Sequence, residues 1–124
     1  MYSSLSRTKV EPSTIVFSDR IDSILGVGRF LLSEGVRNWA LTKSKALVAL
    51  AELDAEEVSV SGGGVFVELG GRIRYTRDAW YCDPKADETA EAFIRRSIAE
   101  ARRFITEYPE NGENPIFFTI DPSP

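Results

Sequence analysis

From position 90 to position 105 apolar side chains return every three or four residues: Ala90, Phe93, Ile94, Ile98, Ala101, Phe104 and Ile105. At 3.6 residues per turn they form one stripe, so a helix from about Asp87 to Tyr108 has a face that must be buried against something. Asp87 can cap this helix, Glu88 and Glu91 suit its positive end, Glu91 stands one turn from Arg95, and Pro109 stops it. A helix of this kind packs on a sheet, and the rest of the chain supplies one.

Val58–Ser61, Val65–Glu68, Arg72–Tyr75 and Pro115–Ile120 read as strands, with Gly62–Gly64 as a tight turn between the first two. In the middle hairpin, a two-residue Gly70–Gly71 turn would set Val67 opposite Arg74 and Glu68 opposite Ile73, mixing apolar and charged groups on both faces. A three-residue loop from Leu69 to Gly71 sets Val67 opposite Ile73 and Val65 opposite Tyr75 on one face, and Glu68 opposite Arg72 on the other, so the longer loop is predicted. Two further helices are expected. One runs from about Asp19 to Glu34, weakened by Gly26 and Gly28; the other opens at Thr42, a good N-cap, and carries Ala46, Leu47, Leu50 and Leu53. Asn38–Leu41 between them is a short strand or an extended linker. The predicted fold is α+β: a single domain with an antiparallel sheet of about four strands and two to three helices on one face. Residues 1–12 read as a loose segment and 121–124 as a frayed tail.

The 124 residues fit one domain, and 43% hydrophobic residues are enough for a real core without a metal or disulfide staple. Cys82 is the single cysteine and has no partner for an internal disulfide. No secretory leader or membrane-length apolar run is evident, so a cytoplasmic location is expected. A net charge of −4 argues against nucleic acid or an anionic membrane as the main partner. Its distribution says more. Glu52, Asp54, Glu56, Glu57 and Glu68 fall in a stretch, 46–71, that holds no base, and Glu107, Glu110, Glu113 and Asp121 fall in another, 104–124. Such stretches are either solvated surface or contacts for a basic partner.

The chain has no histidine, which removes Ser-His-Asp and Cys-His nucleophiles and any His-ligated metal. Gly26-Val-Gly28 lacks the third glycine of a dinucleotide fingerprint, and Gly62–Gly64 lacks the lysine of a phosphate loop. No enzyme, cofactor or metal is therefore indicated. A paired-carboxylate site, for instance Glu56 or Glu57 with Asp78, remains a formal possibility that would need a cleft and raised pKa values.

One cluster does not read as generic scaffold: Asp78-Ala-Trp-Tyr-Cys-Asp83. Together with Val36-Arg-Asn-Trp-Ala-Leu-Thr-Lys43, the Gly62-Gly63 pair and Arg96-Ser-Ile-Ala-Glu-Ala-Arg102, it resembles the Immunity protein 40 family of bacterial polymorphic-toxin systems. The likeness spans roughly Ile21 to Ile120 in the same order. Two positions depart: Gly64 stands where the family pattern has aspartate, and Ala79 where it has asparagine. A contact made through those side chains in relatives would be made differently here. The resemblance implies a cytoplasmic antidote that binds a cognate toxin domain and carries out no reaction of its own.

Candidate toxin-binding residues are then Asp78, Trp80, Tyr81 and Asp83, with Glu52, Asp54, Glu56 and Glu57 as the acids that steer a basic partner. Each has a plainer reading. In a strand Trp80 and Tyr81 point to opposite faces, one core and one exposed. Trp39 reads as core, Cys82 as a small buried hydrophobe, and Asp83 before Pro84 as the start of a turn. The acids near the end of the second helix sit where its dipole disfavours them, which fits contact or solvated loop. The alternative function is a small nucleic-acid-binding or regulatory module that uses Arg72, Arg74 and Arg77, with Tyr75 or Trp80 for stacking.

Overall fold

The computed structural model describes residues 15–110 and 112–124; the segment 1–12 lies outside the described residues. In chain order the elements are α1 (Asp19–Leu25), β1 (Arg29–Phe30), a 3-10 turn (Leu32–Glu34), β2 (Trp39–Ala40), α2 (Lys43–Ala55), β3 (Ser59–Leu69), β4 (Arg72–Tyr81), α3 (Ala90–Glu107) and β5 (Ile116–Ser123). The class is α+β as predicted, but the strands divide into an antiparallel three-stranded sheet, β4-β3-β5, and a two-stranded ribbon, β1-β2. Leu41, just past the ribbon, exchanges backbone hydrogen bonds with Phe118 (2.8 and 2.7 Å) and ties it to the β5 edge.

The helices cover one face of the sheet. Leu25 of α1, Leu50 and Leu53 of α2 and Ile98, Ala101 and Ile105 of α3 close a core with Val60, Val65, Trp80, Phe118 and Ile120. Full burial of each large side chain is worth about 1.5–3 kcal/mol, which is why α3 follows its apolar stripe so closely. Its cap differs from the expectation. Thr89, not Asp87, takes the first-turn N–H of Ala92, and the helix begins at Ala90. Thr42 caps α2 as predicted, accepting from Lys45. Ser97 of α3 is fully buried and useful to the sheet: its hydroxyl accepts from Val60 N (3.0 Å) where the β3–β5 register shifts.

Four other expectations give way. The helix read from Asp19 to Glu34 stops at Leu25, because the chain beyond it pairs with β2 (Arg29 opposite Ala40, Phe30 opposite Trp39). Leu31 falls in phase with α1 yet belongs to a second cluster, with Ala40, Phe66 and Ile73, on the opposite face of the sheet. The Asn38–Leu41 segment is the short strand of its two readings.

Gly62–Gly64 is not a turn; β3 runs straight through it. The hairpin has the rejected register, Val67 opposite Arg74 and Glu68 opposite Ile73. Gly70 (φ 57°) and Gly71 (φ 79°) are both left-handed, the geometry whose twist suits a two-residue hairpin. The argument for the longer loop assumed one wet face. Here Val65 is buried toward the helices and Phe66 and Ile73 beneath Leu31 and Ala40, so alternation does not select the register. Finally, the tail is part of β5, with Ser123 paired to Ser59.

Candidate functional site

The glycine triplet and the aromatic run are one packing unit. Gly62, Gly63 and Gly64 lie opposite Tyr81, Trp80 and Ala79. A side chain on Gly63 would collide with the far edge of the Trp80 ring and the Thr119 carbonyl, so the glycine is what lets the indole lie down on the sheet. Trp80 is 7% exposed and stacks on Phe104 of α3, centroids 4.8 Å apart at 30°. Its buried Nε1 has no acceptor among the described residues. Tyr81, on the other side of the strand, is 81% exposed. Of the two aromatic candidates one is therefore core and one is free surface, as alternation requires. Trp39 is half-buried against Phe17 and Phe30. Gly64 and Ala79 face each other directly across the ladder.

Just before this run β4 bulges: Phe66 pairs with Tyr75 and Gly64 with Ala79, leaving Thr76, Arg77 and Asp78 opposite Val65 alone. Thr76 Oγ1 donates to Val65 O (2.9 Å) and accepts from Asp78 N (3.1 Å), and Arg77 takes a left-handed φ of 78°. The bulge delivers the exposed Asp78 to the end of α3, where its carboxylate accepts from Tyr108 OH at 2.6 Å. Burial, reinforced by that carboxylate, raises the Tyr108 pKa.

After the run, Arg96 holds the connection into α3. Its Nε and Nη2 each donate to Glu88 (2.7 Å), Nη2 also to Asp83 O (2.7 Å) and Nη1 to Cys82 Sγ (3.3 Å), while the guanidinium lies 5.5 Å from the Phe93 centroid. The hydrogen bonds from Arg96 and then from Lys85 N bring the Glu88 pKa down from 4.5 to about 2. Asp83 thus lends its carbonyl to the fold and keeps its side chain outward. Cys82 is buried, as read.

The acids at the end of α2 are elsewhere. Asp54 pairs with Arg95 on α3, and Glu56 with Arg20 on α1 (2.5 Å). Glu52 lines an open groove of about 600 Å³ between α1 and α2, and Glu57 is exposed beyond the helix. Arg95 and Arg96 leave α3 in different directions, one to Asp54 and one to Glu88, so the helix separates the two candidate groups. The eight residues do not form one site. Nor does Glu56 meet Asp78: the first is taken by Arg20, the second by Tyr108.

The sequence reading missed a cleft of about 300 Å³ on the outer side of α3. Trp80 and Tyr81 form its β4 side; Glu100, Arg103, Phe104, Glu107 and Tyr108 form its α3 side. The signal was present in the spacing, since Glu100 and Glu107 are two turns apart and Phe104 and Tyr108 one turn apart. Phe104 reads as part of the core stripe, Tyr108 as the end of its helix and Glu107 as one of an acidic stretch, which hides their common face.

No helix among the described residues is long and apolar enough to cross a membrane. Neither a curated protein nor a solved structure matches the chain. The sequence pattern of the Immunity protein 40 family does match, over residues 30–121, from β1 to the body of β5. That span is well over half of the chain and includes the glycine triplet, the Trp80 packing unit and all of α3, so this protein belongs to the Immunity protein 40 family.

Proposed function

We propose that the chain is a non-catalytic antidote that binds a cognate bacterial toxin domain in the cytoplasm and neutralises it. The observation that carries this reading is the family match from β1 through α3 into β5. The side-chain inventory supports it: with no histidine and one buried cysteine, the chain lacks the Ser-His and Cys-His pairs of nucleophilic catalysis. Tyr81 presents a large exposed ring beside the acids Asp78 and Asp83, the composition of an interface anchor with steering charges.

The test is a calorimetric titration against the toxin domain encoded beside this protein. Wild type is expected to bind one-to-one with Kd of nanomolar order or below. Tyr81→Ala, at a position outside the core, should stay folded and bind about 30-fold more weakly, the loss of roughly 2 kcal/mol typical of an anchor ring. Trp80 is unsuitable for this purpose because truncating it opens the core. A toxin domain that fails to bind the wild type refutes the reading.

A second reading rests on Arg72, Arg74 and Arg77, all exposed on β4 beside the half-exposed Tyr75. Trp80 is buried and drops out as a stacking platform. Binding of single-stranded RNA that falls steeply with salt would favour this alternative.

A further inference from the structure

We propose that the cleft between β4 and α3 is a socket for a basic side chain of the toxin, arginine above all. The proposal rests on the toxin-binding reading and adds where and by what chemistry contact is made. Three rings run along the cleft: Trp80 stacks on Phe104 at 4.8 Å, and Phe104 meets Tyr108 at 5.8 Å and 36°. Glu100 and Glu107 line it from one face of α3; Asp78, outside the lining, accepts from the Tyr108 hydroxyl. Against the two carboxylates of the lining the cleft holds one base, Arg103, which pairs with Glu100. Glu107 has no ion-pair partner among the described residues.

Aromatic faces and carboxylates together select a cation. A planar guanidinium can lie on a ring and fork to a carboxylate in the same pose. An apolar anchor in the same place would strip water from Glu107 without compensation, and an acidic one would meet its like charge. The chain already uses this chemistry internally, where Arg96 lies over Phe93 and forks to Glu88. Arg103 stands as a resident competitor for Glu100, so removing it should strengthen the site, a sign that a purely structural role would not produce.

The test needs no toxin. The isotopically labelled full chain is titrated by NMR with N-acetyl-arginine-N-methylamide and, separately, with its neutral citrulline counterpart. The Trp80 indole and Tyr108 signals should move with the arginine probe, saturating in the millimolar range, and stay still with citrulline. Glu107→Gln should weaken the response about fivefold and Arg103→Gln should strengthen it about threefold. Equal response to citrulline, no response at all, or weakening by Arg103→Gln overturns the proposal.

In a second arm, Glu107→Lys should weaken binding of the neighbouring toxin domain at least about tenfold. Val48→Asp, in a second groove that Val48 lines with Ile24 and Val27 beside α1 and α2, should leave it unchanged. The reverse pattern moves the contact to that groove and overturns the socket. A toxin that does not bind the wild type refutes the function proposed above, while the arginine titration still decides the cleft.

Discussion

A methyl group at position 63 would press on the Trp80 ring from below and on the Thr119 carbonyl from the side. The ring is pinned by Phe104 and the carbonyl belongs to a paired strand, so neither can yield cheaply. Gly63→Ala should therefore cost about 3 kcal/mol or more, the upper end of overpacking, read as a lowered urea midpoint. Gly64→Ala is the internal control, since its new methyl would meet the Tyr75 ring at 3.2 Å, the Thr119 hydroxyl at 3.4 Å and the Phe66 ring at 3.5 Å, far looser than the clashes at position 63. Equal midpoints for the two variants would remove Gly63 from its role. At this scale the sequence was legible where the information is local. Alternation placed Trp80 inside and Tyr81 outside, and burial of Cys82 followed from its kind. The glycine triplet was misread because its reason is non-local: three glycines in a row look like a turn until the indole from the next strand is laid across them.

Among the elements, α3 could be read almost whole, since a single stripe and a stop signal describe it, and only its cap shifted to Thr89. α1 was overextended because Leu31, which serves the far side of the sheet, happens to keep the helical phase. The hairpin register failed for a related reason: a sheet covered on both faces carries no alternation to read. The candidate site suffered likewise, with Phe104 and Tyr108 hidden in the core helix they also border.

The entry to α3 depends on the Glu88–Arg96 pair, and that dependence is measurable. With a folded pKa of about 2 against an ordinary 4.5, Glu88 stabilises the native state in full above about pH 4.5, and this contribution fades as pH falls toward 2. Thermal melts of wild type and Glu88→Gln should stay apart by a constant margin down to about pH 4.5 and converge near pH 2. Curves that remain parallel across that range would show the carboxylate to be idle.

For the molecule as a whole, the net charge of −4 predicts kinetics rather than affinity. Association with a basic toxin domain should slow markedly between about 50 and 500 mM salt, as the Debye length shrinks, with a much smaller change in dissociation. Stopped-flow rates flat across that range would mean that the acids do not steer.

The sheet order also fixes a sequence of events in time. β5 pairs with the central strand and supplies Phe118 and Ile120, both fully buried. A ribosome makes these residues after every other described element, so the interior stays open while the helices and the hairpin emerge and shuts in one late step. Readiness to act is then set by the emergence of β5, and a nascent chain stalled before it offers chaperones an unfinished sheet in place of a partly working protein.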